Sequence, residues 1–150
     1  MQHQNKRPIF ISYSRQDLDR VKSIVRKIEH ETGIKCWIDL NGIESGAQFQ
    51  EVIIEAIDNA EVVLFVLSQN SMFSDYAKKE VLYAKKVGKR VVPISIDDMP
   101  MKGWFLFEFS MVDAINYENN EQRAKLFRDL KIWIANFKSK ENDIKSTSFN

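Results

Sequence analysis

Six consecutive apolar residues, Val62-Val63-Leu64-Phe65-Val66-Leu67, constrain the fold of this chain more than any other feature. The run is far below the ~20 residues of a membrane-spanning helix, and it lacks the polar alternation of a strand with one wet face. Such a segment belongs at the centre of a parallel sheet, covered by helices on both sides. The flanking sequence agrees. Phe49, Val52, Ile53, Ala56 and Ile57 recur at helical spacing before it, and after it Ser71 and Ser74 are candidate caps for a helix that runs to about Val87 and stops at Gly88.

The same alternation extends in both directions. Residues 9–12 read as a first strand; Ser14 with Asp17 resembles a capping box, and Leu18, Val21, Val25 and Ile28 share one helical face that Gly33 closes. Residues 34–39 read as a second strand, residues 91–96 as a fourth, with Pro93 removing a ladder donor, and residues 112–117 as a fifth. Residues 97–110 break the rhythm and read as irregular or short helical structure, with Trp104 and Phe105 packing beneath them. Asn120 can cap a last helix with Phe127, Leu130, Ile134 and Phe137 facing inward. The chain thus divides into a polar lead at 1–7, one domain at 8–137 and a polar tail at 138–150. Five strand–helix alternations predict an α/β fold: a flavodoxin-like five-stranded parallel sheet in the order 2-1-3-4-5 with helices on both faces. Ligands of such sheets bind beyond the carboxyl ends of the strands, at the switch between the first and third. The loops to interrogate are therefore 12–15, 40–46 and 68–76.

Composition narrows the partners. With 22 Lys+Arg against 21 Asp+Glu, interleaved along the chain, the basic excess expected of a nucleic-acid binder is missing. One cysteine, Cys36, and two histidines, His3 and His30, supply neither a disulfide nor a metal set, so no metal is expected. The start of the chain is polar and no stretch is long enough to span a membrane, so the expectation is a cytoplasmic protein without a membrane partner.

The loops exclude several chemistries that this topology supports. A phosphoryl-accepting receiver needs an Asp ending the third strand and acids after the first; Ser68 and Ser12-Tyr13-Ser14 stand there instead. Neither G-x-G-x-x-G nor G-x-x-x-x-G-K-[ST] nor G-x-S-x-G occurs. One residue is out of place in the opposite sense. Ala77, Val81, Ala84 and Val87 or Gly88 mark the inner face of the third helix, and on the same period Glu80 falls among them, flanked by Tyr76 and Tyr83. A carboxylate on an apolar face is either a paired boundary acid or part of a site. Its place at the ligand-binding end of the sheet favours a site.

The segment Ile9-Phe10-Ile11-Ser12-Tyr13-Ser14 with Asp17 resembles the first signature box of TIR domains (Toll/interleukin-1 receptor/resistance). Cys36-Trp37-Ile38-Asp39 and residues 40–46 resemble the family's second strand and BB loop. The apolar run, followed by Ser68, Ser71, Ser74 and Glu80, resembles its third strand and following helix. The likeness covers about Arg7 to Phe137. It implies the flavodoxin-like fold reached above and, for bacterial-type members active in defence signalling, cleavage of NAD+ at the nicotinamide–ribose bond to ADP-ribose or a cyclic isomer. It implies Glu80 as the catalytic carboxylate, because enzymatic members carry a Glu there. Substrate contacts are implied for Ser12, Tyr13, Arg15, Trp37, Asp39, Ser45, Ser74 and Tyr76, with Tyr76 where several relatives have Trp. Ser14 and Ser74 read equally as helix caps, and Trp37 as an inward strand aromatic. The BB loop, with Asn41, Gly42, Ile43 and Glu44, departs from the animal-receptor pattern and is the expected assembly contact. NAD+ would be a substrate, with no permanently bound cofactor, and the partners would be further copies or other TIR domains. The alternative is a non-enzymatic TIR–TIR interaction module or an effector that interferes with a host's TIR signalling.

Overall fold

In the computed structural model, residues 7–39 and 47–148 are described, apart from the side chains of 47–49 and 137–148. Phe49 and Phe137 therefore lie outside the described side chains, and residues 40–46, with Asn41, Gly42, Ile43, Glu44 and Ser45, lie outside the described residues. Five strands form one parallel sheet: β1 (Ile9–Ser12), β2 (Cys36–Trp37), β3 (Val62–Leu67), β4 (Arg90–Ser95) and β5 (Ile115–Asn116). Their order is β2-β1-β3-β4-β5, as the alternation predicts. The helices are α1 (Leu18–Thr32), α2 (Ala47–Asn59), α3 (Asp75–Lys86), α4 (Gly103–Glu108) and α5 (Asn120–Ser148).

β3 is buried along its whole length and organises both layers. Val62, Leu64 and Val66 pack with Val21, Ile24 and Ile28 of α1 and Leu126, Leu130 and Ile134 of α5. Val63 faces the other way onto Ala56, Ile57 and Ala84, and Phe65 and Leu67 pack with Ala77, Val81, Phe105 and Phe109. The period-2 alternation of a strand thus distributes one apolar run between two cores, each buried side chain contributing about 1.5–3 kcal/mol.

The edge strands are shorter than predicted. β2 contains two residues rather than 34–39, because Ile34 N–H bonds the Thr32 hydroxyl and Cys36 presents its backbone to side chains: Glu29 accepts from its N–H at 2.8 Å and Arg7 donates to its carbonyl at 2.8 Å. β5 also contains two residues instead of 112–117; Val112 is exposed and its N–H closes a turn onto Phe109. β4 starts and ends one residue earlier than expected. It tolerates Pro93 because β5 pairs only with Ile94 and Ser95, leaving Pro93 on a stretch with a strand on one side. Residues 97–110 contain α4, with Phe105 fully buried and stacked on Phe65.

Helix boundaries and faces follow capping chemistry and periodicity with four differences. Ser14 makes no side-chain cap bond, and Val87 is exposed rather than on the inner face of α3. The cap of α5 is Asn119, whose side chain accepts from Gln122 N–H at 3.0 Å, one residue before the predicted Asn120. α5 continues helical past Lys138 to Ser148. Gly33 closes α1 in the left-handed conformation at φ 72°.

Candidate functional site

The site is built on α3. Ala77, Val81 and Ala84 are fully buried, and two alanines let the helix lie close to the sheet. Ser74 caps it, its hydroxyl accepting from Ala77 N–H at 3.1 Å. A helical side chain leans toward the helix N-terminus, which here is the end of the sheet where the strands deliver their loops. The Glu80 carboxylate is thereby carried back over β1, where the buried Ser12 hydroxyl donates to Oε1 at 2.7 Å. This contact joins residues 68 positions apart in sequence.

Burial pushes the Glu80 carboxyl up to about 8, and the nearby Asp39 charge adds to the rise while the Ser12 hydrogen bond opposes it. With its carboxyl at about 8, Glu80 favours the protonated form at neutral pH. Tyr13 is pushed up to about 12 by burial first and by Asp39, against the opposing charge of Arg15. It remains a phenol and donates to the Asp39 carbonyl, tying the end of β1 to the segment after β2.

Two cavities meet at Glu80. One, of about 80 Å³, is lined by Ile11, Tyr13, Arg15, Trp37, Asp39, Ser74, Tyr76 and Glu80. It gathers nearly all the described residues that the sequence nominates. The second, about 200 Å³, lies between α2 and α3, with Ile53, Ile54 and Ile57 on one side and Tyr76, Lys79, Glu80 and Tyr83 on the other. Sequence reasoning does not reach it; the apolar stripe of α2 identifies a buried face but not a gap in its packing. Trp37 stacks on Phe10 with ring centroids 5.0 Å apart, as an inward strand aromatic does, and it also lines the smaller cavity. Ser12 is engaged with the carboxylate. Tyr83 turns outward to Asp58 at 2.8 Å, leaving Tyr76, about half exposed, as the aromatic shared by both cavities. Among the described residues no group of three or more His, Cys, Asp or Glu is placed to hold a metal ion, and no helix is long and apolar enough to cross a membrane.

A half-buried acid hydrogen-bonded by a hydroxyl, where two cavities meet beside aromatic rings, suits the stabilisation of positive charge on a ligand that also offers a flat ring. The comparisons with known proteins converge on the same region. The family model described as "TIR domain" matches residues 9–130. The NAD(+) hydrolase SARM1 of Danio rerio is 29% identical over 95 residues, which are 58% of this chain and 13% of that protein. The chain thus spans about an eighth of that relative. Among solved structures, the TIR domain of the Toll-related receptor TRR-2 from Hydra magnipapillata superposes with a TM-score of 0.62 at 20% identity, covering 82% of this chain and 94% of that one. A prokaryotic SEFIR domain gives a TM-score of 0.59 at 20% identity, with 84% and 90% covered. The TIR domains of the activated Roq1 resistosome give 0.51 at 18% identity, with 83% and 81% covered.

Proposed function

The chain belongs to the TIR domain family, and on that premise we propose that it cleaves the nicotinamide–ribose bond of NAD+, with Glu80 as the catalytic carboxylate. One observation carries this reading. The single acid on the inner face of α3 is held by Ser12 at the carboxyl ends of the strands, where two cavities meet. The NAD(+) hydrolase relative supports it from a separate direction.

The chemistry needs one carboxylate. Most glycosidases use two because the departing alcohol must be protonated. Nicotinamide leaves a cationic pyridinium as a neutral ring, so no general acid is required, and the cost lies in the oxocarbenium character left on the ribose. Glu80 accepts hydrogen bonds from the ribose hydroxyls and stabilises that charge electrostatically. Burial and the Asp39 charge raise the Glu80 carboxyl because, among the described residues, its carboxylate lacks a counter-charge there. A pyridinium entering the site displaces the proton and restores the carboxylate. Tyr76 and Trp37 offer faces to the planar rings, and Arg15 and Ser74 offer donors to ribose and phosphate oxygens. Water as the nucleophile gives ADP-ribose; a hydroxyl or adenine nitrogen of the same molecule gives a cyclic isomer. NAD+ is consumed as a substrate drawn from the cytoplasm.

Each cavity is below the ~300 Å³ at which pockets begin to enclose a ligand of drug size. A dinucleotide therefore extends past them, and a second copy supplies the remaining wall, so that activity rises with self-association. The test is incubation of concentrated protein with NAD+, chromatography of nicotinamide and the second product, and the same assay with Glu80→Ala. Nicotinamide from the wild type alone supports the reading. Equal release from both removes Glu80 from it, and release from neither, even under forced assembly, leaves a non-enzymatic interaction module.

A further inference from the structure

Asp17 occupies the position before α1 where an aspartate normally accepts from the helix's own first amides. It makes no such bond. Its carboxylate turns instead to the loop after β3, one oxygen accepting from Ser68 Oγ at 2.5 Å and the other from Asn70 Nδ2 at 2.8 Å. Bonds of this kind, with an ionised acceptor, are the strong ones. Ser68 is buried and locked in turn. Its N–H donates to Ser71 Oγ at 2.8 Å, and its own Oγ accepts from Ser71 N–H at 3.0 Å. Ser74 N–H then donates to the Ser71 carbonyl, and Ser74 caps α3. On its other side the loop is held by Asp97, which accepts from Gln69 N–H at 2.9 Å. A continuous path of hydrogen bonds thus joins Asp17 to the start of the helix that carries Tyr76 and Glu80, while Asp17 lies outside the described linings of both cavities.

We infer that Asp17 is a positioning residue for the reaction proposed above: it clamps the loop after β3 to the loop after β1 and so fixes the Glu80 carboxylate against Ser12. The inference rests on that reading of Glu80 for its catalytic consequence but not for its geometric one. Ser12 ends β1 and Asp17 ends the turn that follows it, so two links hold α3 to this connection: Ser12 to the carboxylate itself, and Asp17 to the chain preceding the helix. With Asp17 removed only the first remains, and the helix start is free to shift. A displacement of about 1 Å at a reacting group costs about 100-fold in rate.

The experiment uses the full chain with Asp17→Asn, Asp17→Ala and the exchange Asp17→Asn/Asn70→Asp. The exchange reverses the donor and acceptor while keeping the net charge, since the amide at 17 donates to the carboxylate at 70 and still accepts from Ser68. The core substitution Ile134→Val, on the opposite sheet face, serves as a control for a comparable loss of Tm. Two readouts are taken: steady-state NAD+ cleavage, and the titration of Glu80 followed by its side-chain carboxyl carbon in NMR. Tyr13, Arg15 and Asp39 in one cavity, Lys79 and Tyr83 in the other, and Tyr76 in both are the charged or titratable groups among the described linings that share Glu80's surroundings. The clamp predicts that Asp17→Ala lowers kcat about ten- to a hundredfold with KM within about threefold, and that Asp17→Asn, which keeps the Ser68 bond and can pair with a turned-over Asn70 amide, loses less. It also predicts that Asp17→Ala moves the Glu80 midpoint down toward the ordinary carboxylate range as water enters, and that the exchange restores both. A Glu80 midpoint unchanged in a folded Asp17→Ala protein, or the same kinetic loss in the control, overturns the inference. If the wild type releases no nicotinamide, the catalytic reading fails and the titration alone decides the clamp.

Discussion

Glu80 is legible in the sequence because a helix has a period and a carboxylate interrupts it at a known place. Its partner is not legible. Ser12 reads as a contact for ribose or phosphate, and only the fold shows its hydroxyl on Glu80, because contacts between loops 68 residues apart leave no pattern in the chain. Asp17 is misread for the same reason, as half of a capping box, when its carboxylate belongs to the neighbouring loop. The shifted titration of Glu80 gives a prediction at this scale. Between the ordinary carboxyl value of 4.5 and about 8, the folded protein retains a proton that the unfolded chain has released. This contribution to stability is full below 4.5 and declines as pH rises through about 8. Glu80→Gln should remove this pH dependence: its Tm should equal that of wild type near pH 4.5 and exceed it at pH 8.5, in scans by circular dichroism. A constant difference across that range would contradict the burial argument. In kinetics, kcat/KM should rise with pH through about 8, and the kcat profile should be displaced to lower pH because bound pyridinium favours the carboxylate.

At the scale of elements, the central features follow from pattern and the peripheral ones do not. β3, covered on both faces, has no freedom in its extent, and both α1 and α3 stop at glycines because only those positions adopt positive φ cheaply. The strands β2 and β5 are overread from β-branched and aromatic residues, since strand propensity measures fit to a pleated surface and an edge offers one neighbour only. The cavity between α2 and α3 is not legible at all, as periodicity gives each helix its buried face but not how fully two faces meet. Two substitutions test the caps. Ser74→Ala should cost about 1 kcal/mol in denaturant unfolding by releasing the Ala77 N–H. It should lower NAD+ cleavage more than an equally destabilising change elsewhere, because it loosens the helix that carries Glu80. Gly33→Ala should also cost about 1 kcal/mol, through backbone strain at φ 72°, since nothing lies within 4 Å of the new methyl. Cleavage should be unaffected by it once the protein is folded.

For the whole molecule, the near-neutral charge of +1 removes a barrier to close approach of copies, and the small cavities give assembly a role. Cleavage per mole of protein should rise steeply with protein concentration. Ile43→Asp, in the loop between β2 and α2, should lower it mainly at high concentration, where the assembled form dominates; an equal loss at all concentrations would place Ile43 outside the assembly contact. The central claim, however, concerns one carboxylate. Its most direct measurement is nicotinamide release at a single high concentration by wild type and by Glu80→Gln, the latter first shown to be folded by its Tm. The amide is nearly isosteric, can still accept from Ser12 and is uncharged, so the account predicts release from the wild type and a loss of at least about 100-fold in the variant. Release by Glu80→Gln at the wild-type rate would contradict it.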